Sequence, residues 1–212
     1  MTVKQWEKLA RAQLLPRLSD DFGANRWYVY RRPLGHLLCA VAVETATWSA
    51  EELVLHVFAT PMFMPRSDVS WPYSLGKRLG GVDWTFQLQQ HEGSYLLPER
   101  LIEAFASEEI PFMERHGTPE RLLEERDWQD SPSLHVLETK AGALLLCGRE
   151  DLARIALEQL AGIDVEYDYE HELVERAAAL LRLLDEQDGS ALELLQARER
   201  QTRSAMEAIG FV

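Results

Sequence analysis

Cysteine is nearly absent from this 212-residue chain. The two that occur, Cys39 and Cys147, sit inside apolar runs, LLCAV and LLLCG, where a free thiol behaves as a small hydrophobe. Disulfide scaffolding is therefore not expected, and a zinc site built from spaced cysteine pairs is excluded. Basic residues are also in deficit: 22 Lys and Arg face 35 Asp and Glu, a formal charge of -13. Nucleic acids and anionic membranes are held by excess cation, so neither is an expected partner. Long apolar stretches are missing too. No run approaches the roughly 18 residues of a membrane span, and the N-terminal MTVKQWEKLARAQLLPRL lacks the uninterrupted apolar centre of a secretory signal. A cytoplasmic protein is the expectation.

Catalytic signatures are equally scarce. Gly76-Lys77 looks like the end of a phosphate-binding loop, but that cradle needs a glycine five residues earlier and Ser or Thr after the lysine; Trp71 and Arg78 stand there. Ser74 and Lys77 have the Ser-x-x-Lys spacing of penicillin-recognising enzymes without the companion Ser-Asp-Asn and Lys-Thr-Gly, and Gly76 weakens the helix that would set the spacing. No Gly-x-Ser-x-Gly elbow occurs, and neither cysteine has the electropositive setting that favours thiolate. Glu44 and Glu51 flank a predicted hairpin, where ordinary exposed acids are the simpler explanation than a catalytic pair. His171 and Glu175 lie one helical turn apart, a metal-compatible spacing that lacks further ligands, because the other histidines (His36, His56, His91, His116, His135) are scattered. No catalytic residue, no cofactor and no required metal are assigned.

What the chain does contain is pattern. Trp6, Leu9, Ala10, Gln13 and Leu14 predict an amphipathic helix over 2–15, ended by Pro16 and an SDDFG turn. Three strand-like runs follow, WYVYRR (27–32), HLLCAVAVET (36–45) and ELVLHVFAT (52–60). The second is apolar on both faces, which predicts a central strand with a buried Cys39. In the first, Arg26, Tyr28, Tyr30 and Arg32 share a face that can stack bases, but in so acidic a chain they are expected to cover the sheet instead. WTFQLQQ (84–90) alternates strictly and predicts a half-buried antiparallel strand.

Beyond Gly93 the period becomes 3.6. Helices are expected from Leu97 to Phe105, after the Thr118-Pro119 start, and over 134–147, 150–161, 169–186 and 191–209, the last with a Ser190–Glu193 capping box. Small residues around Gly148 suggest an antiparallel helical hairpin resembling a tetratricopeptide unit. The predicted fold is α+β: an N-terminal helix and an antiparallel sheet of four or more strands in residues 1–95, then an all-helical half with antiparallel hairpins in 96–212, packed on the sheet as one compact unit.

The 60–81 stretch, TPMFMPRSDVSWPYSLGKRLGG, holds Met62, Phe63, Met64, Trp71 and Tyr73. These residue types anchor interfaces, and they equally serve to seal a sheet edge. Charge is uneven as well. Residues 1–40 carry seven basic and three acidic side chains, so the acid lies further on, with clusters around Glu124 and Glu172. The order of elements, together with HVFATPMFMPRSD, SLGKRLGG and a final Gln-Thr helix ending at a phenylalanine, resembles uncharacterised bacterial proteins of the immunity-like, domain-of-unknown-function type. That resemblance transfers no catalytic residues; the residues of the 60–81 stretch themselves favour a binding module. The expected function is a non-enzymatic protein–protein interaction module inhibiting a basic partner. The alternatives are a hydrolase with its site in a sheet–helix cleft and an adaptor that binds peptides along its helical hairpins. The candidate contact residues are Met62, Phe63, Met64, Trp71, Tyr73, Glu124 and Glu172.

Overall fold

The computed structural model describes residues 1–65, 75–78, 85–91, 94–125 and 133–211. It has the expected α+β order of helix, antiparallel sheet and helical C-terminal half. The chain forms two compact units, and their boundary is not at residue 95. One unit comprises Met1–Thr60, Ser74–Gly117 and Met206–Val212, the other Pro61–Tyr73 and Thr118–Ala205.

In the first unit, α1 (Val3–Leu9) begins with a reciprocal cap. The Thr2 hydroxyl accepts the Gln5 N–H at 3.3 Å, and Gln5 Oε1 accepts the Thr2 N–H at 2.7 Å. The helix runs on through a π-helical stretch, Ala10–Leu14. A second such stretch, Phe105–Glu109, joins α2 (Glu99–Ala104) to α3 (Ile110–His116). Each ends just before a proline, Pro16 or Pro111. Leu15 and Ile110 donate to carbonyls five residues back, on Ala10 and Phe105, because proline brings no N–H and crowds the preceding turn, so the ladder widens.

Strands β1 (Phe22–Asn25), β2 (Tyr28–Arg31), β3 (Leu37–Ala46) and β4 (Ser49–Pro61) lie side by side in sequence order. The long β4 also carries β5 (Leu75–Arg78) and β6 (Thr85–Gln87) on successive stretches, both antiparallel. A separate antiparallel pair joins β7 (Gln89–His91) to β8 (Ser94–Leu96). In the SDDFG segment Asp20 and Asp21 form the expected turn, and the last two residues, Phe22 and Gly23, already belong to β1. Gly23 lies opposite Tyr30, where a Cβ would stand 2.8 Å from the tyrosine ring; glycine is there for close packing.

Strand β3 is buried from Leu37 to Val43 because both of its faces are covered. On one face Ala40 and Ala42 lie opposite Tyr30 and Tyr28. Their small size leaves room for the two rings, which meet Phe211 at 4.9 and 5.5 Å between centroids. On the other face Cys39 lies near the end of α3, where a Cβ on Gly117 would be 3.9 Å from its sulfur. Burial pushes the Cys39 thiol up to about 12.

The second unit is helical: α4 (Pro119–Leu123), α5 (Leu134–Leu146), α6 (Glu150–Ala161), α7 (Asp168–Glu186) and, as far as Ala205, α8 (Ser190–Ala208). Helices α5 to α8 match the predicted spans to within a residue at each end. The Thr118 hydroxyl caps α4 by accepting the Arg121 N–H at 3.4 Å. The expected Ser190 cap is replaced by one from Asp188, whose carboxylate accepts the Ser190 N–H at 2.9 Å, while the Ser190 hydroxyl donates to the Leu183 carbonyl. α5 packs on α4, α6 and α7, and α6 on α7. Ala141, Ala153, Ala156 and Ala177 keep the crossings close among Leu157, Leu160 and Leu180. Gly148 closes the α5–α6 turn at φ 69°, a conformation that suits glycine.

Candidate partner-docking site

Three of the expected contact residues are interior. Met62, Phe63 and Met64 are 0%, 0% and 1% exposed. Phe63 and Met64 cluster with Ala143, Leu123 and Leu146, and the buried Thr202 hydroxyl donates to the Met64 carbonyl at 2.9 Å. The Phe63 ring lies against α5 at Gly142, where a Cβ would come within 2.7 Å of it. These side chains are core, and their assignment as partner contacts is corrected on that ground: a partner reaches them only by disrupting the helical unit. Trp71, Tyr73 and Ser74 lie outside the described residues. Glu44 and Glu51 are not brought together, since Glu44 lies 3.7 Å from His56 and Glu51 accepts from the Gln90 amide at 2.8 Å. His171 and Glu175 are exposed on α7, and among the described residues no group of three or more metal-ligating side chains forms.

Glu124, just beyond α4, borders a groove of about 740 Å³ between α4, α5 and α6. Its walls are charged. Glu120 and Glu124 come from the α4 side, Lys140 from α5, and Arg149 from the α5–α6 turn. Its apolar lining includes Leu144, Leu152, Ile155 and Ala156, and of these Leu152 and Ile155 remain 42% and 50% exposed. Helix α6 therefore bears two stripes. Ala153, Ala156, Leu157 and Leu160 face the core, and Leu152, Ile155 and Gln159, at i, i+3 and i+7, line the groove.

Cys147 also lines the groove, and its thiol stays protonated. Partial burial pushes it up to about 11, helped by the charge of Glu120 and a hydrogen bond to that carboxylate. A thiol so held is a donor and a small apolar surface, not a nucleophile.

Glu172 stands on the solvent side of α7, 3.8 Å from Arg176. Arg176 in turn reaches the fully buried Glu138 of α5 through Nε at 2.7 Å and Nη2 at 3.0 Å. This two-pronged pair ties α7 to α5 and fixes the rotation of the helix that displays Glu172. Residues that sequence reasoning passed over are Leu152, Ile155, Lys140 and Arg149 in the groove, and Tyr167 and Tyr169 at the start of α7. The second stripe on α6 is the one signal in the sequence that points to the groove. Compared with family models, with curated proteins and with solved structures, the chain matches none.

Proposed function

We propose that the chain is a non-enzymatic protein–protein interaction module, an acidic inhibitor of the immunity-like kind that receives a segment of a basic partner in the groove bordered by Glu124. The observation that carries this reading is the groove itself, with Leu152 and Ile155 left about half exposed between charged walls. Covering the exposed half of each side chain gains roughly 1 kcal/mol. Electrostatics then favours a cationic occupant. Residues 118–205 contain twenty acidic and ten basic side chains, so this segment holds ten of the thirteen net negative charges. Such a field accelerates the encounter with a basic protein and disfavours acidic ones. Lys140 and Arg149, from α5 and the α5–α6 turn, line the same groove as the acids of the α4 side, and this uneven charge favours one direction for a bound segment. The fitting occupant has a bulky aliphatic or aromatic anchor beside Lys or Arg.

The test is a random-peptide display selection on the full chain, followed by rebinding to Ile155→Asp and Glu124→Arg. The expected result is enrichment of apolar–basic sequences whose binding is lost on Ile155→Asp and weakened on Glu124→Arg. No enrichment, or enriched peptides indifferent to both substitutions, contradicts the reading.

A further inference from the structure

We infer that the tyrosine pair at the start of α7 is an arginine-reading surface for a basic protein partner; this rests on the reading that the partner is basic. Tyr167 and Tyr169 are 57% and 53% exposed. Their rings are nonetheless ordered against each other, 5.9 Å between centroids and 14° between planes. His135 of α5 extends the stack, 6.0 Å from Tyr169 at 19°. Residues two apart within a helix point to opposite sides. Tyr167 escapes that rule because it precedes the helix in extended backbone, φ -119° and ψ 146°.

Glu170 fixes the arrangement. Its carboxylate accepts the N–H groups of Glu166 at 2.9 Å and Tyr167 at 3.2 Å, and the Tyr169 hydroxyl at 3.2 Å. The stack is thus tied down by hydrogen bonds rather than by burial.

The surroundings select the occupant. Glu170 reaches the Tyr169 hydroxyl, its sequence neighbours Glu166, Asp168 and Glu172 are exposed, and Arg176 is already engaged by Glu138. A flat aromatic face bordered by carboxylates suits a guanidinium, which stacks on the ring while its N–H fork reaches a carboxylate; an ammonium is a point charge without that plane. The same carboxylates repel phosphate and anionic lipid.

The test uses the isotope-labelled full chain, titrated with hexa-arginine and with hexa-lysine peptide at about 150 mM salt, where exposed charges are screened beyond about 8 Å. Two variants accompany it. Tyr167→Leu/Tyr169→Leu keeps every charge and much of the apolar bulk but removes both π faces, and Ile155→Asp alters the groove alone. In the unaltered protein, hexa-arginine is expected to shift the amide resonances of residues 166–170 and to bind more tightly than hexa-lysine. The double tyrosine variant is expected to lose about fivefold or more in affinity for hexa-arginine, and Ile155→Asp to lose none.

Equal binding of hexa-arginine to the double variant, or shifts that miss residues 166–170 in the unaltered protein, overturns the inference. Shift mapping needs no variant, so a folding defect in the double variant does not shelter the idea. Failure here leaves the groove intact as a proposal, because the display selection reads Ile155 and Glu124 separately. Loss of hexa-arginine binding on Ile155→Asp alone transfers recognition to the groove and overturns the tyrosine assignment.

Discussion

Replacing Phe63 with alanine distinguishes a core side chain from an interface anchor. Phe63 is fully buried, and truncating a buried phenylalanine costs about 3–5 kcal/mol; an exposed anchor would cost the free protein far less. The partner substitution sharpens the test. In Gly142→Ala the new methyl would stand 2.7 Å from the Phe63 ring, an overpacking cost of about 1–3 kcal/mol. Alanine gains about 1 kcal/mol over glycine in a helix interior, so the net change in the intact background runs from near zero to about 2 kcal/mol destabilising. With Phe63→Ala in place the overlap disappears, and the same Gly142→Ala becomes stabilising by about 1 kcal/mol. The coupling between the two positions is therefore about 1–3 kcal/mol. Urea unfolding followed by far-UV circular dichroism reads all four proteins, with an unchanged slope as the condition for comparing midpoints. A cost below about 1 kcal/mol for Phe63→Ala, or an identical effect of Gly142→Ala in both backgrounds, refutes the packing argument.

Glu138→Gln removes the charge that pairs with Arg176, whose side chain is 21% exposed. Breaking a buried pair costs about 3–5 kcal/mol, and the partial exposure of the arginine brings the expected loss to about 2–3 kcal/mol in urea unfolding. Cys39 should resist a thiol-specific reagent in the native protein near neutral pH and react once the chain is unfolded. Its folded-state value, about 12, lies above that of an unfolded thiol, so its contribution is complete below about pH 9 and is lost as pH rises towards 12, by up to about 1.4 kcal/mol per unit; Cys39→Ala should remove that part of the slope in alkaline unfolding curves. Ending the chain at Gly210 removes Phe211 from Tyr28 and Tyr30 and should cost about 2–4 kcal/mol by the same unfolding assay. Rising salt should slow association of a basic peptide while changing dissociation less, as measured by stopped flow, because long-range attraction acts on the encounter.

The helices of the C-terminal half were legible because their apolar period and their glycines agree. Gly148 and Gly162 stand where α5 and α6 stop, and local pattern matches local structure. β3 was legible for a similar reason, as LLCAVAV is apolar at every position and only a strand covered on both faces accommodates that. β1 was not. Gly23 beside two aspartates reads as turn chemistry, and the need for a missing Cβ opposite Tyr30 exists only once the strands are paired.

The docking residues divide along the same line. Met62, Phe63 and Met64 belong to residue types used alike in cores and interfaces, so composition does not separate the two uses; burial against Ala143 and Gly142 does. Glu124 was visible as one acid among many. That Lys140 and Arg149 line the same groove depends on how α4, α5 and α6 pack, which no local pattern encodes. The tyrosine stack depends on the helix starting at Asp168 and not one residue earlier, a boundary finer than periodicity resolves.

Hydrogen–deuterium exchange of the full chain, with and without a peptide obtained by display, tests the docking proposal most directly. The account predicts that bound peptide slows exchange in α4 and α6, around Glu124, Leu152 and Ile155, and leaves the strands from Leu37 to Pro61 unchanged. Slowed exchange in those strands with α6 unaffected would contradict it.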